Sequence, residues 1–200
     1  DATDQLQYLM TSANATFQMM FAYYKNPDQF TDKFDAAGNK GKNGVPDILD
    51  EARWGLEWMK RMNPDSAFMF NQIADDRDHT GIREPHTDTV DYGWGPGKGR
   101  PVYFITGDIQ GIGKYKNRNT GVASAAAKYA SAFALGSVLF EKFDPAFAES
   151  MKKKAVDAMA FAEAKPGAFH GVCYKEPYFY EEANWIDDME LAAIALHMME

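Results

Sequence analysis

The sequence of 200 residues contains one cysteine, Cys173, and fewer basic than acidic residues. One cysteine excludes a disulfide within the chain, but it does not fix the redox compartment, because a sufficiently large core folds without disulfides. Lys and Arg total 21 against 29 Asp and Glu, which gives a net charge of -8. This acidic balance disfavours nucleic acid and an anionic membrane as partners, and it favours a neutral or cationic ligand.

Several sequence signals are also missing. We find no apolar run near the roughly 18 residues that a membrane helix needs, and no basic segment followed by an apolar one at the start. There is no G-x-S-x-G elbow, P-loop or dinucleotide-binding glycine pattern, and Cys173 lacks the signature of a catalytic thiol. Since the chain begins at Asp1 and ends at Glu200 inside a helical pattern, we expect it to be part of something longer.

Apolar residues recur at helical spacing in five segments, which predicts an all-α chain. These segments are 5–24, 46–61, 121–140, 145 to a stop at 165–167, and one beginning near Asp187. Asp187 and Glu190 have the spacing of a capping box for the last helix. The segment 63–119 sustains no helical period, and its aromatic content argues against disorder. We therefore expect it to form part of a binding cleft.

Two acidic groups are candidates for chemistry. Asp1 and Asp4 lie three residues apart where the first helix is predicted to begin, so either one is a candidate base or a helix cap. Asp75, Asp76, Asp78 and His79 are dense enough to suggest a hard cation, but their spacing matches no known metal loop. We favour a solvated, hydrogen-bonded loop for this second group.

Aromatic residues outside the predicted helices are candidates for stacking on a ligand, sugars included, or for burial in the core. The candidates are Tyr92, Trp94, Tyr103, Tyr178, Tyr180 and Trp185. Trp54 and Trp58 lie four residues apart on the second helix, and we assign both to packing.

Five segments, in this order, resemble glycoside hydrolase family 9. Asp1-Ala2-Thr3-Asp4 is similar to the family's Asp-Ala-Gly-Asp motif, with Thr3 in place of Gly. The segment 43–52 (NGVPDILDEA) resembles its opening of a barrel helix, and 72–79 resembles its loop ending in Asp-His. The segments 120–140 and 185–193 resemble its Ala-rich helix and its Asp-Glu-Leu region.

The resemblance implies an incomplete (α/α)6 toroid of helix hairpins, with residues 1–200 forming part of one catalytic domain. It implies hydrolysis of β-1,4 bonds in cellulose, mixed-linkage glucan or xyloglucan, with inversion at the anomeric carbon. Asp4 would be the general base, Asp1 would help to position the water, and His79 would contact sugar together with the stacking candidates Tyr92, Trp94, Tyr180 and Trp185. The family's general acid is a Glu with no counterpart before Glu200.

The resemblance implies no required cofactor. Structural calcium is possible because Asp187 falls near a ligand position of some relatives, but a full ligand set is missing, and we leave the metal unassigned. The expected partners are a β-glucan and the rest of the catalytic domain, and the expected location is secreted, periplasmic or cell-surface. Two alternatives stay open: a non-catalytic helical carbohydrate-binding or scaffold protein, and another (α/α)6 glycosidase or polysaccharide lyase.

Overall fold

A computed structural model describes residues 5–79, 81–175 and 182–200. All five predicted helices are present in these ranges, together with three short strands. The helices are α1 (Leu9–Lys25), α2 (Asp47–Met62), α3 (Ala123–Phe140), α4 (Pro145–Ala164) and α5 (Ile186–His197). The strands are β1 (Gln7–Tyr8), β2 (Phe70–Ile73) and β3 (Val102–Phe104).

Helix α3 is the centre of the fold. It packs between α1 and α5, α4 also packs against it, and α2 packs against α1. The alanines and serines of α3 are buried around its circumference, and these small side chains let the neighbouring helices approach closely. At Gly136 a Cβ would lie 2.7 Å from the Leu56 Cδ1 atom of α2. Helices α1, α3 and α5 therefore form one layer, with α2 and α4 on its outer side.

The apolar character of α3 corrects one expectation. By length and composition Ala123–Phe140 could cross a membrane, although we had found no apolar run of that size. In the folded chain 89% of this segment is buried inside the protein. Its hydrophobicity is therefore accounted for by its central position in the helical core.

A small antiparallel sheet was not predicted. Its strand order is β1-β2-β3, with Gln7 opposite Ile73 and Tyr8 opposite Gln72. Helix α1 begins four residues later than its apolar pattern predicted, because Gln7 and Tyr8 are paired with β2. The sheet holds the start of the chain beside the loop that follows β2.

The predicted capping box of α5 is wrong. The helix begins at Ile186, so Asp187 already lies in its first turn and its side chain does not cap the helix. Trp185 is the N-cap residue, and no side chain caps the first turn. Asn184, the residue before it, orders the chain at this helix start, since its Oδ1 accepts the N–H groups of Trp185 at 2.9 Å and Ile186 at 3.1 Å.

The two tryptophans of α2 differ. Trp58 is 7% exposed and its Nε1 donates to the Gln7 Oε1 at 2.7 Å, which joins α2 to β1. Trp54 is 67% exposed, so the packing role expected for it is wrong. The apolar face of α2 instead contains Leu49, Ala52, Leu56 and Met59, all fully buried.

Apolar side chains are exposed on α1 and α5, the two ends of the inner layer. They are Phe21 and Tyr24 on α1, and Ile186, Leu191 and Ile194 on α5. Large exposed apolar faces commonly mark surfaces that another protein segment covers. These two faces are therefore open to packing by another segment.

Candidate functional site

The start of the chain is held firmly from Gln5 onward. Asp1, Asp4 and Tyr180, three of the predicted site residues, lie outside the described residues. Gln5 follows Asp4 directly, and its backbone N–H donates to the Asp78 Oδ1 at 2.9 Å. Asp78 in turn directly precedes His79. This hydrogen bond thus links two residues. Gln5 follows the candidate base Asp4, and Asp78 precedes the candidate sugar contact His79.

The acidic loop after β2 is buried, so the expectation of a solvated loop is wrong, although the loop is hydrogen-bonded as expected. The Asp75 carboxylate accepts two hydrogen bonds from Arg77, at 2.9 and 2.6 Å, and one from the Tyr103 hydroxyl. The Asp76 carboxylate accepts the backbone N–H groups of Tyr174 at 2.5 Å and Lys175 at 2.7 Å. These carboxylates therefore hold protein groups together.

Asp78 has a different set of partners. Its carboxylate is fully buried and accepts hydrogen bonds from Arg83, from Arg100 Nε at 2.9 Å and from the Tyr92 hydroxyl at 3.0 Å. Arg83 also donates to the Asp78 backbone carbonyl at 2.9 Å. Two guanidinium groups and one phenol therefore fix the side chain that binds the Gln5 amide.

A second carboxylate completes this arrangement. Asp88 Oδ2 lies 2.5 Å from Arg100 Nη1, and Asp88 Oδ1 lies 3.3 Å from Arg83 Nε. Asp78, Asp88, Arg83 and Arg100 thus form a charge-balanced group, which we call the Asp78 clamp. Ion pairs of this kind, with several hydrogen bonds per charged group, hold their members in one geometry.

The clamp is ionised at neutral pH. The hydrogen bond from Arg100 lowers the pKa of Asp88 to about 2. Burial alone would raise the pKa of Asp78, but hydrogen bonds from Arg100, the Gln5 amide and Tyr92 outweigh it and lower that pKa below its ordinary value. Hydrogen bonding to Asp88 raises the pKa of Arg100. The carboxylates of Asp78 and Asp88 and the guanidinium of Arg100 are therefore all charged at neutral pH, which maintains the ion pairs between them.

Aromatic rings flank the loop. Trp94 is 47% exposed and stacks on the Tyr92 ring at a centroid distance of 5.9 Å. The Arg77 guanidinium lies 4.5 Å from the Tyr92 ring and 3.9 Å from the ring of Tyr174, which is 42% exposed. Tyr92 itself is buried, which corrects its expected role as a stacking surface: its ring supports Trp94 and its hydroxyl binds Asp78.

The other described candidates divide between this region and the helical core. His79 is exposed, and its backbone N–H donates to the Asp76 carbonyl at 3.2 Å. Trp185 is half-buried and packs against the main helical core. Tyr92 belongs to a separate apolar cluster with Leu6, Tyr8, Ala74 and Val90. His79, Tyr92 and Trp94 thus belong to one segment, residues 75–79 and 81–100, which we call the loop region. Trp185 instead packs against α5 and its neighbours.

A cavity of about 410 Å³ lies between α1, α3 and α5, apart from this loop region. Its polar lining includes Lys128, whose Nζ lies 2.6 Å from both oxygens of Asp188 and 2.9 Å from Glu182 Oε1. Burial raises the pKa of Asp188 to about 6, although Lys128 opposes the shift. Among the described residues no three His, Cys, Asp or Glu side chains converge in a geometry for a metal ion.

Sequence reasoning missed Arg83, Arg100 and Tyr174. The two arginines follow Asp78 by 5 and 22 residues, and no short motif links them to it. Tyr174 lies far along the chain and is placed by the bond between its amide and Asp76. The one available signal was the accumulation of three aspartates and an arginine at 75–78, which in a buried loop require charged partners.

Comparisons with known proteins identify the family of this chain. The family model described as Glycosyl hydrolase family 9 matches residues 1–200. The chain belongs to glycosyl hydrolase family 9. Endoglucanase C of Cellulomonas fimi is 27% identical to it over 197 residues, which cover 92% of this chain and 16% of that protein.

Solved structures of family 9 share the fold. The chain aligns with a metagenome-derived family 9 endoglucanase with a TM-score of 0.68 and 28% identity, over 98% of this chain and 31% of the other. It also aligns with the cellulase Cel9M of C. cellulolyticum, solved in complex with cellobiose, with a TM-score of 0.67 and 19% identity, over 100% and 39% of the two chains. The expected helical toroid fold is confirmed, and the chain spans about a third of the length of these solved structures.

Proposed function

We propose that this family 9 chain is part of an enzyme that hydrolyses β-1,4-glucosidic bonds in a plant cell-wall glucan, with inversion. The observation that carries the proposal is the bond between the Gln5 amide and Asp78. Gln5 follows Asp4 and Asp78 precedes His79, so this bond links the neighbours of the candidate base and of the candidate sugar contact. The whole length of the chain matches a glycosidase family. A base and a sugar contact must reach the same sugar for such a reaction.

The proposed chemistry needs two carboxyl groups on opposite sides of the bond. Asp4 takes a proton from a water molecule that attacks the anomeric carbon, and Asp1 helps to hold that water. A protonated Glu from a part of the enzyme beyond this chain gives its proton to the leaving oxygen. In inverting enzymes the two carboxyl groups are separated by about 6.5–9.5 Å, which leaves room for the water.

Sugar binding is assigned to the exposed groups of the loop region. Trp94 offers one open aromatic face, supported from behind by Tyr92, and Tyr174 offers a second on the far side of Arg77. The apolar faces of glucose units stack on such rings. His79 supplies a polar contact beside them. Tyr180 and Trp185 remain further candidates for the same substrate.

The proposed partner within the protein is the rest of the toroid. The exposed apolar residues of α1 and α5 supply two faces for it, at the two ends of the inner helical layer. We propose a secreted, periplasmic or cell-surface location, because polymeric glucans are met outside the cell. Cellulose, mixed-linkage glucan and xyloglucan are the candidate substrates.

The substrate site is tested by paired tryptophan variants of the complete protein. We expect the wild type to release reducing sugar from a soluble β-1,4-glucan, and Trp94→Ala to bind cello-oligosaccharides about 3- to 10-fold more weakly, since aromatic stacking contributes about 0.5–1.5 kcal/mol. Trp54→Ala is the control, because Trp54 is equally large, more exposed and on the outer helix α2. Calorimetric titration gives both affinities.

Three results would contradict parts of this proposal. Equal weakening by Trp54→Ala would show that the effect is not local to the loop region. An unchanged affinity in Trp94→Ala would remove Trp94 from the site. Binding of cello-oligosaccharides by the complete wild-type protein, with no release of reducing sugar, would favour the non-catalytic carbohydrate-binding alternative.

A further inference from the structure

We propose that Asp78 is a positioning residue for the general base: through its bond to the Gln5 amide, the Asp78 clamp fixes the backbone beside Asp4. This inference rests on the proposed function and goes beyond it by assigning a role to a side chain that does not itself touch substrate. It follows from the connectivity of the clamp, from its burial and from its charge balance.

The first step is the route from the clamp to the base. The donor of the bond to Asp78 is the amide nitrogen of Gln5, which is covalently joined to Asp4 through one peptide. A peptide unit is planar and nearly rigid, so fixing the Gln5 N–H restricts the placement of the preceding residue. Beyond Gln5 the chain is held independently, by the pairing of Gln7 and Tyr8 with β2.

The second step is the stiffness of the acceptor. Asp78 Oδ1 accepts from the Gln5 amide, from Arg83 and, at 3.3 Å, from Arg100 Nη2, and Oδ2 accepts from Tyr92 and from Arg100 Nε. Each oxygen therefore has at least two donors directed at it, and rotation of the carboxylate would break bonds on both sides. Burial strengthens such charge-assisted bonds because water does not compete for them.

The third step is the choice of residue type. An asparagine at position 78 would place an NH₂ group either against Arg100 Nε or against the Gln5 amide and Arg83. An obligatory donor would face the NH₂ group in both orientations, so only a carboxylate accepts from all of these groups. Asp144 caps helix α4 and binds the Arg53 guanidinium at 2.8 Å, outside the clamp, so its replacement tests stability without base positioning.

The test uses variants of the complete enzyme assayed on a soluble β-1,4-glucan. For Asp78→Asn we expect kcat to fall about 10- to 100-fold, with KM within about twofold of wild type, because small displacements of a reacting group are costly while sugar binding is retained. For the control Asp144→Asn we expect the thermal midpoint to fall but kcat to stay within about threefold. Activities are referred to the folded fraction measured by circular dichroism.

A second pair of variants tests the bond without altering the clamp. Gln5→Pro removes the N–H donor and Gln5→Ala keeps it, so we expect a kcat loss in the proline variant only. Combining Gln5→Pro with Asp78→Asn should lower kcat little beyond the larger single effect, because both changes remove the same link. This pair decides the question if Asp78→Asn does not fold.

Several outcomes would overturn the inference. Equal kcat values in Asp78→Asn and Asp144→Asn would assign Asp78 to stability alone. Equal kcat in Gln5→Pro and Gln5→Ala, or fully multiplicative losses in the double variant, would exclude the proposed link. A wild-type enzyme with glucanase activity would leave the proposed function standing in each of these cases, whereas a complete wild-type protein without that activity would overturn both.

Discussion

Replacing Asp4 with asparagine in the complete protein is expected to lower hydrolysis of a soluble β-1,4-glucan by about 10²- to 10⁴-fold. The substitution removes the proton acceptor and keeps nearly the same shape, so binding of cello-oligosaccharides should be largely retained. Reducing-sugar release gives the rate, and calorimetric titration gives the affinity. A lower kcat at unchanged affinity distinguishes a general base from a residue that binds the substrate.

The matched control is Asp28→Asn. Asp28 is an exposed aspartate in the short helical turn after α1, away from the loop region, and its neutralisation should leave both rate and affinity unchanged. A wild-type rate in Asp4→Asn would place the base elsewhere in the enzyme. A loss of affinity equal to the loss of rate would show that Asp4 serves binding.

The 200-residue chain on its own is expected to show little or no glucanase activity at concentrations where the complete protein is active. The proposed base, Asp4, is within the chain, but the proposed acid is not, so we expect protonation of the leaving oxygen to be unassisted. The exposed apolar side chains of α1 and α5 should also promote aggregation of the isolated chain. The measurement is the rate of reducing-sugar release by the two proteins at equal molar concentration.

Comparable rates in the two proteins would refute the argument from the missing acid. The proton donor would then have to be a glutamate of this chain, and the candidates are Glu84, Glu176, Glu181 and Glu182, of which Glu176 and Glu181 lie outside the described residues. Of these, Glu182 is bound to Lys128 at 2.9 Å. Replacing each of the four with glutamine would identify the donor.

The helices could be predicted because their apolar residues repeat over four or five turns. Helix α2 is the clearest case, since its charged ends and its apolar face agree with its observed bounds to within one residue. The strands are two to four residues long, too short for an alternating pattern to show. Gln7 and Tyr8 were therefore assigned to α1, although pairing with β2 determines their conformation.

The Asp78 clamp lies beyond what sequence patterns can show. Its arginines reach Asp78 through loop folding, and a pattern of spacing carries information only within one regular element. The same limit explains Trp54 and Trp58, since their spacing on α2 does not show that Trp58 is buried against Gln7 of β1 and Trp54 is exposed. Family resemblance located the loop at 72–79, but the burial of its three aspartates required coordinates.

The most direct test of the account is the anomeric configuration of the first product, followed by proton NMR while the complete protein hydrolyses a cello-oligosaccharide. A base that activates water on the face opposite the leaving group inverts the anomeric carbon. We predict that the α-anomer appears first and mutarotates afterwards to the equilibrium mixture. Initial release of the β-anomer would contradict the assignment of Asp4 as a general base, because retention requires a carboxylate that attacks the sugar itself.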